Sequence, residues 1–95
     1  MSAYVIAQVN IINNEPYKEY VSKASPIVKK YEGKFLVRGG DFENVLGNWN
    51  YERTVIISFP NYNKAIAWYN SDEYKPIRKI REDNSTGNVI IINGV

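Results

Sequence analysis

Ninety-five residues, 44% hydrophobic and 14% aromatic, make a chain too apolar for disorder and large enough for one core, so residues 1–95 are expected to form a single domain. Twelve basic against ten acidic residues leave a net charge of only +2, which excludes nucleic acid as the expected partner. With no cysteine and no histidine, the chain lacks thiolates, disulfides and the commonest general base and metal ligand; neither a metal nor a cofactor is expected.

From Ala3 to Ile11 the odd positions are all apolar (Ala3, Val5, Ala7, Val9, Ile11), while the even ones are Tyr4, Ile6, Gln8 and Asn10. Period two predicts a strand with one greasy and one mixed face. The segment has no basic leader before it and is broken at Gln8, so it does not read as a signal peptide. Nowhere does the chain approach the run of about 20 apolar residues a membrane span needs, and the cytoplasm is the default compartment. Asn13 or Asn14 then offers an N-cap, with Glu15 and Pro16 suited to a first helical turn. Tyr17, Tyr20, Val21, Ala24, Ile27, Val28 and Tyr31 follow helical spacing, and Gly33 is placed to stop the helix. Pro26 lies inside this pattern and predicts a kink or break near Ser25.

Lys34 to Arg38 reads as a second strand ended by Gly39 and Gly40. Asp41 to Asn50 is the least regular stretch, in which Phe42, Val45 and Leu46 suggest a short extra strand. The β-branched run from Thr54 to Phe59, closed by Pro60, predicts an interior strand. Asn61 caps a second helix carrying Tyr62, Ala65, Ile66 and Tyr69. Asn70-Ser71-Asp72 interrupts it before a further helical turn with Pro76, Ile77 and Ile80. Asp83 to Asn88 looks like a turn and Val89 to Ile92 like the last strand.

The order β, α, β, β, α, β predicts an α+β, ferredoxin-like antiparallel sheet with its helical segments on one face. Alternation then assigns Tyr4, Ile6, Gln8, Asn10, Leu36, Arg38, Thr54, Ile56 and Ser58 to the helix-free face. Such a face is too apolar to stay wet, so a homodimer formed by pairing two sheets is expected.

Four segments carry a resemblance beyond this pattern: Ala3-Tyr4-Val5-Ile6, the run from Tyr31 to Gly40 (YEGKFLVRGG), Phe59-Pro60, and the run from Ala67 to Tyr74 (AWYNSDEY). In this order they resemble the family called domain of unknown function 1330, over nearly the whole chain. The resemblance implies a dimeric α/β-barrel in which two ferredoxin-like sheets pack face to face. Its wider superfamily includes cofactor-independent monooxygenases, haem degraders, muconolactone isomerases and stress-related dimers. Haem degraders use an Asn, Trp and His set, of which Asn10 and Trp68 loosely match the first two; the missing histidine disfavours haem.

Arg38 is the foremost candidate for ligand contact. An arginine ending an apolar strand before two glycines can offer its fork to a carboxylate or phosphate, or can pair with Glu43, Glu52 or a carboxylate of a second copy. Gln8, Asn10, Ser58 and Trp49 are expected around it, in a cavity between the sheet and the helices or between the paired sheets. Trp68 and Tyr20 complete the candidate set, each with core packing as the competing role. Arg53 reads as a strand-end surface charge, and Lys75, Arg78, Lys79 and Arg81 as a solvated helix face. These features suggest a small-molecule-binding cytosolic homodimer taking an acidic or carbonyl compound. The alternatives are a cofactor-independent monooxygenase- or isomerase-like enzyme, or a non-catalytic stress-related dimer.

Overall fold

A computed structural model describes all residues from Met1 to Val95. The elements are β1 (Ala3–Ile11), α1 (Asn14–Lys30), β2 (Lys34–Arg38), β3 (Arg53–Phe59), α2 (Tyr62–Tyr69), α3 (Lys75–Asn84) and β4 (Ser85–Asn93). The strands form one antiparallel sheet in the order β2-β3-β1-β4, the ferredoxin-like arrangement. The barrel expected from the resemblance is not formed. β2 and β4 remain open edges, and four strands are about half the number that closes into a filled barrel.

The odd residues of β1 are buried beneath the helices, as their period requires. Ala3, Val5, Ile57 and Phe59 meet Ala24 and Val28 of α1, Ala65 and Trp68 of α2, and Tyr74. Trp68, Tyr74, Phe59 and Val28 are the largest fully buried side chains, each stabilising the fold by roughly 1.5–3 kcal/mol through burial. The three aromatic rings pack at tilted angles, with 4.4 Å between the centroids of Trp68 and Tyr74 and 5.4 Å between those of Trp68 and Phe59.

Four local expectations are corrected by tertiary contacts. First, α1 continues through Pro26 without a break, because Tyr17, Ala24 and Val28 anchor it on both sides of the proline. Second, the left-handed residue that ends α1 is Glu32 (φ 66°), while Gly33 serves a close approach. A Cβ on Gly33 would lie 2.7 Å from Val28 Cγ1 and 2.8 Å from the Phe59 ring. Third, residues 39–52 contain no strand, and Phe42, Val45 and Leu46 are exposed. Asn10 instead pins the end of this loop: its Nδ2 donates to the Asn50 carbonyl (2.6 Å), and its Oδ1 accepts from the Glu52 N–H (2.8 Å). Fourth, there is no turn over Asp83–Asn88. The Ser85 hydroxyl donates to the Arg81 carbonyl (2.6 Å), closing α3, and the chain passes directly into a nine-residue β4. Gly87 permits this pairing, since a side chain there would collide with the Gln8 carbonyl oxygen.

The correction that matters most for function lies in β2. Phe35 is opposite Ile57, yet Val37 is opposite Ile56, so a bulge at Leu36 adds a residue to the strand. Arg38, expected on the open face, is thereby turned to the helix side opposite Val55.

Candidate functional site

Between α1 and the sheet lies a partly open cavity of about 40 Å³, room for about three waters, with the exposed Arg38 at its edge. Of its 16 lining residues 13 are hydrophobic, and the other three are Arg38, Arg53 and Arg81. No carboxylate lines it, and all six ion pairs of the chain use lysine, so none of its four arginines is held by an acid. Three unpaired guanidinium groups around an apolar space make an environment suited to an anion.

Each arginine arrives by a different route. Arg53 opens β3 in phase with Val55, Ile57 and Phe59, and therefore points to the helix side. Its guanidinium carbon sits 5.6 Å from the Tyr17 ring centroid, and its Nε is buried without an acceptor. Arg81 follows Tyr74 and Ile77 on one face of α3 and donates through Nη2 to the Tyr69 hydroxyl (3.3 Å). Burial works against its charge, but the surrounding phenol oxygens of Tyr74, Tyr20 and Tyr69 outweigh this and hold its pKa above the usual range. Arg38 spans the side of the cavity, stacked 4.2 Å from the Phe35 centroid. Its Nη2 donates to Ser25 Oγ (2.5 Å) and to the Val21 carbonyl (3.3 Å) of α1.

Tyr20, on the cavity wall, is 2.7 Å from the hydroxyl of Tyr74. Tyr74 is fully buried and has no other hydroxyl partner, so its proton is satisfied only by donation to Tyr20. With Tyr74 as the donor, the Tyr20 O–H has no acceptor within the protein. Desolvation raises the pKa of Tyr20, and desolvation followed by the neighbouring Tyr20 raises that of Tyr74, so both are neutral phenols at pH 7. Trp68 adds a second buried donor without an acceptor, its Nε1.

The sequence-derived candidates fall into two groups. Arg38, Tyr20 and Trp68 line the cavity. Gln8, Asn10 and Ser58 belong to the opposite face of the sheet, while Trp49 sits in the 39–52 loop beside Val37, Thr54 and Ile56. They do not surround Arg38. The structure adds Arg53, Arg81 and Tyr74 to the cavity region. Arg53 was legible from its odd phase with Val55, and Arg81 from its i+7 spacing to Tyr74 on the apolar side of α3.

The family pattern for DUF1330, a domain of unknown function, matches residues 2–95. The chain belongs to the DUF1330 family. Among solved structures, this DUF1330 chain is similar to the RPA0582 protein of unknown function from Rhodopseudomonas palustris, with a TM-score of 0.79 at 14% identity over 99% of this chain and 82% of that one. It is also similar to SnoaB, a cofactor-independent oxygenase from Streptomyces nogalater, with a TM-score of 0.67 at 6% identity over 99% and 93%. A dimeric ferredoxin-like protein of unknown function from Thermobifida fusca aligns with a TM-score of 0.55 at 13% identity over 99% and 92%. At these identities the likeness is one of fold. No curated protein matches the chain.

Proposed function

We propose that this DUF1330 protein binds an acidic phenol or enolisable carbonyl compound in the cavity between α1 and the sheet and acts on it without a cofactor. The observation that carries this reading is the set of three arginines, free of carboxylates, facing an apolar space with the Tyr20 proton. Such a setting stabilises a phenolate or enolate and strengthens every charge interaction made to it. The cavity wall carries no carboxylate or histidine to serve as a general base, and the Tyr20 phenol is held protonated. The substrate must therefore be acidic enough to release its own proton to solvent. An electron-rich anion of this kind can reduce dioxygen directly, a CH₂ group becoming a carbonyl with release of water, or can be reprotonated at another carbon. The likeness to a cofactor-independent oxygenase supports the first outcome. A ring-sized occupant needs α1, which lies chiefly against α3, to move outward.

The test is a spectrophotometric titration of 4-nitrophenol. Wild type should lower its apparent pKa by about one unit, and Arg53→Gln should abolish that shift. An unchanged pKa with wild type would sink the reading, and oxygen uptake with 1,3-dicarbonyl and polycyclic phenol substrates then separates oxygenation from isomerisation.

We also infer that two copies pair through the helix-free face, working in the cytosol. Ile90 and Ile92 are about half exposed there, beside Ile6, Ile56 and Val37. The dimeric Thermobifida fusca protein shares the fold.

A further inference from the structure

We propose that the groove between α1 and the edge strand β2 is a binding site for a small hydrophobic monocarboxylate, with Arg38 holding its acid group and gating the cavity behind. The groove has a volume of about 580 Å³, within the range of small-molecule sites, and the half-buried Phe35 is its accessible apolar surface, with Val28 buried behind it. Three cations line it, Lys29, Lys34 and Arg38, none of them ion-paired. Its one acid, Glu32, is neutralised at 2.9 Å by Lys64, so the groove presents net positive charge to an arriving anion.

Arg38 and Phe35 line both the groove and the cavity. The guanidinium is the gate because it bridges β2 to α1 through two neutral acceptors, Ser25 Oγ and the Val21 carbonyl. A carboxylate outcompetes both, since its full negative charge adds an ion-pair attraction that neither neutral oxygen offers and the fork can donate to two of its oxygens at once. The site is placed where α1 is easiest to loosen. Pro26 cannot donate to the Ser22 carbonyl, and the Ser25 hydroxyl bonds back to Val21, so the backbone ladder is incomplete beside Arg38. Binding of the acid would thus release the bridge between sheet and helix. The bulge at Leu36 makes this possible by aiming Arg38 at α1 instead of across the open face.

Capture of the carboxylate stands on the groove itself; passage inward rests on the reading of the cavity above. Calorimetric titration of 1-naphthoate and its neutral counterpart 1-naphthamide into wild type, Arg38→Gln, Arg38→Lys and Arg53→Gln separates the two. Wild type should bind the acid about tenfold more tightly than the amide, from the added charged bonds. Arg38→Gln should bring that ratio near one with amide affinity unchanged, Arg38→Lys should recover part of it, and Arg53→Gln should keep it. A wild-type ratio near one, or an undiminished ratio in Arg38→Gln, overturns the inference, as does absence of binding by either compound. Collapse of the ratio in Arg53→Gln alone overturns the groove site while leaving the cavity reading standing. Retention of the groove pattern together with no 4-nitrophenol shift does the reverse.

Discussion

The two faces of the sheet come from the same four strands and end in opposite states. Toward the helices, Ala3, Val5, Val9, Ile57 and Phe59 are buried and three arginines without acidic partners surround a narrow apolar cavity. On the other side, Ile90 is 52% and Ile92 47% exposed, and the polar residues between them and β2 are neutral: Gln8, Asn10, Thr54, Ser58 and Asn88. Those side chains are used in part to fasten loops, as Asn10 does to residues 50–52 and Asn88 to the Tyr51 hydroxyl. The contrast separates two jobs that sequence periodicity alone would merge. A narrow arginine-lined space without acids has the character of a small-molecule site, and a broad, half-apolar surface that of a contact surface.

The comparison can be broken most forcefully at Trp68. Trp68→Ala should destabilise the fold by about 3–5 kcal/mol in urea melts, whereas Ile90→Ala on the open face should change monomer stability by less than about 1 kcal/mol. Equal effects would mean that the two faces are not differently packed. Next in size, Ile90→Asp should convert a dimer to a folded monomer in light scattering at micromolar concentration, with far-UV circular dichroism unchanged. A wild-type monomer under those conditions removes the role assigned to the open face.

Smaller effects sharpen the cavity side. Tyr74→Phe removes the donor to Tyr20 and should cost about 1–2 kcal/mol. The same pair predicts an alkaline limb. Both folded-state pKa values are raised, so below about pH 10 the phenols are protonated in either state and contribute no pH dependence. Above it the unfolded chain releases protons that the fold retains, and stability falls as pH rises. Absorbance at 295 nm should accordingly show Tyr20 and Tyr74 resisting ionisation until the protein unfolds. The smallest effect belongs to Glu73, whose pKa is lowered by the hydrogen bond from Lys30 and then by that from Tyr31. Its stabilisation is present above the ordinary carboxylate pKa and fades as pH falls below about 4.5. Glu73→Gln should flatten that acid limb in thermal melts by removing the small stabilisation present at pH 7, while leaving the acid end, where Glu73 is protonated in either state, nearly unchanged.

Element order, the burial face of β1, the cap at Asn61 and the apolar stripe of α1 were all readable in the chain, because each is a local periodicity or a local hydrogen bond. Arg53 and Arg81 were readable in principle by the same periods, but charge suggested solvent, and only the helices packed above them show otherwise. The candidate site was harder to read than the fold. Its location turns on one extra residue in β2, and a bulge leaves no periodic signature while reversing the face of everything after it.

What the amino-acid order determined by itself is the set of strands and helices, the absence of histidine and cysteine chemistry, and the family. What only the tertiary structure decided is which side of the sheet Arg38 occupies, that three arginines converge without an acid, and that the sheet stays open at both edges. The physical reason is one of range: side-chain period and capping are settled within a few residues. Register, convergence and closure depend on contacts between residues tens of positions apart, whose loop-closure cost only the assembled core offsets.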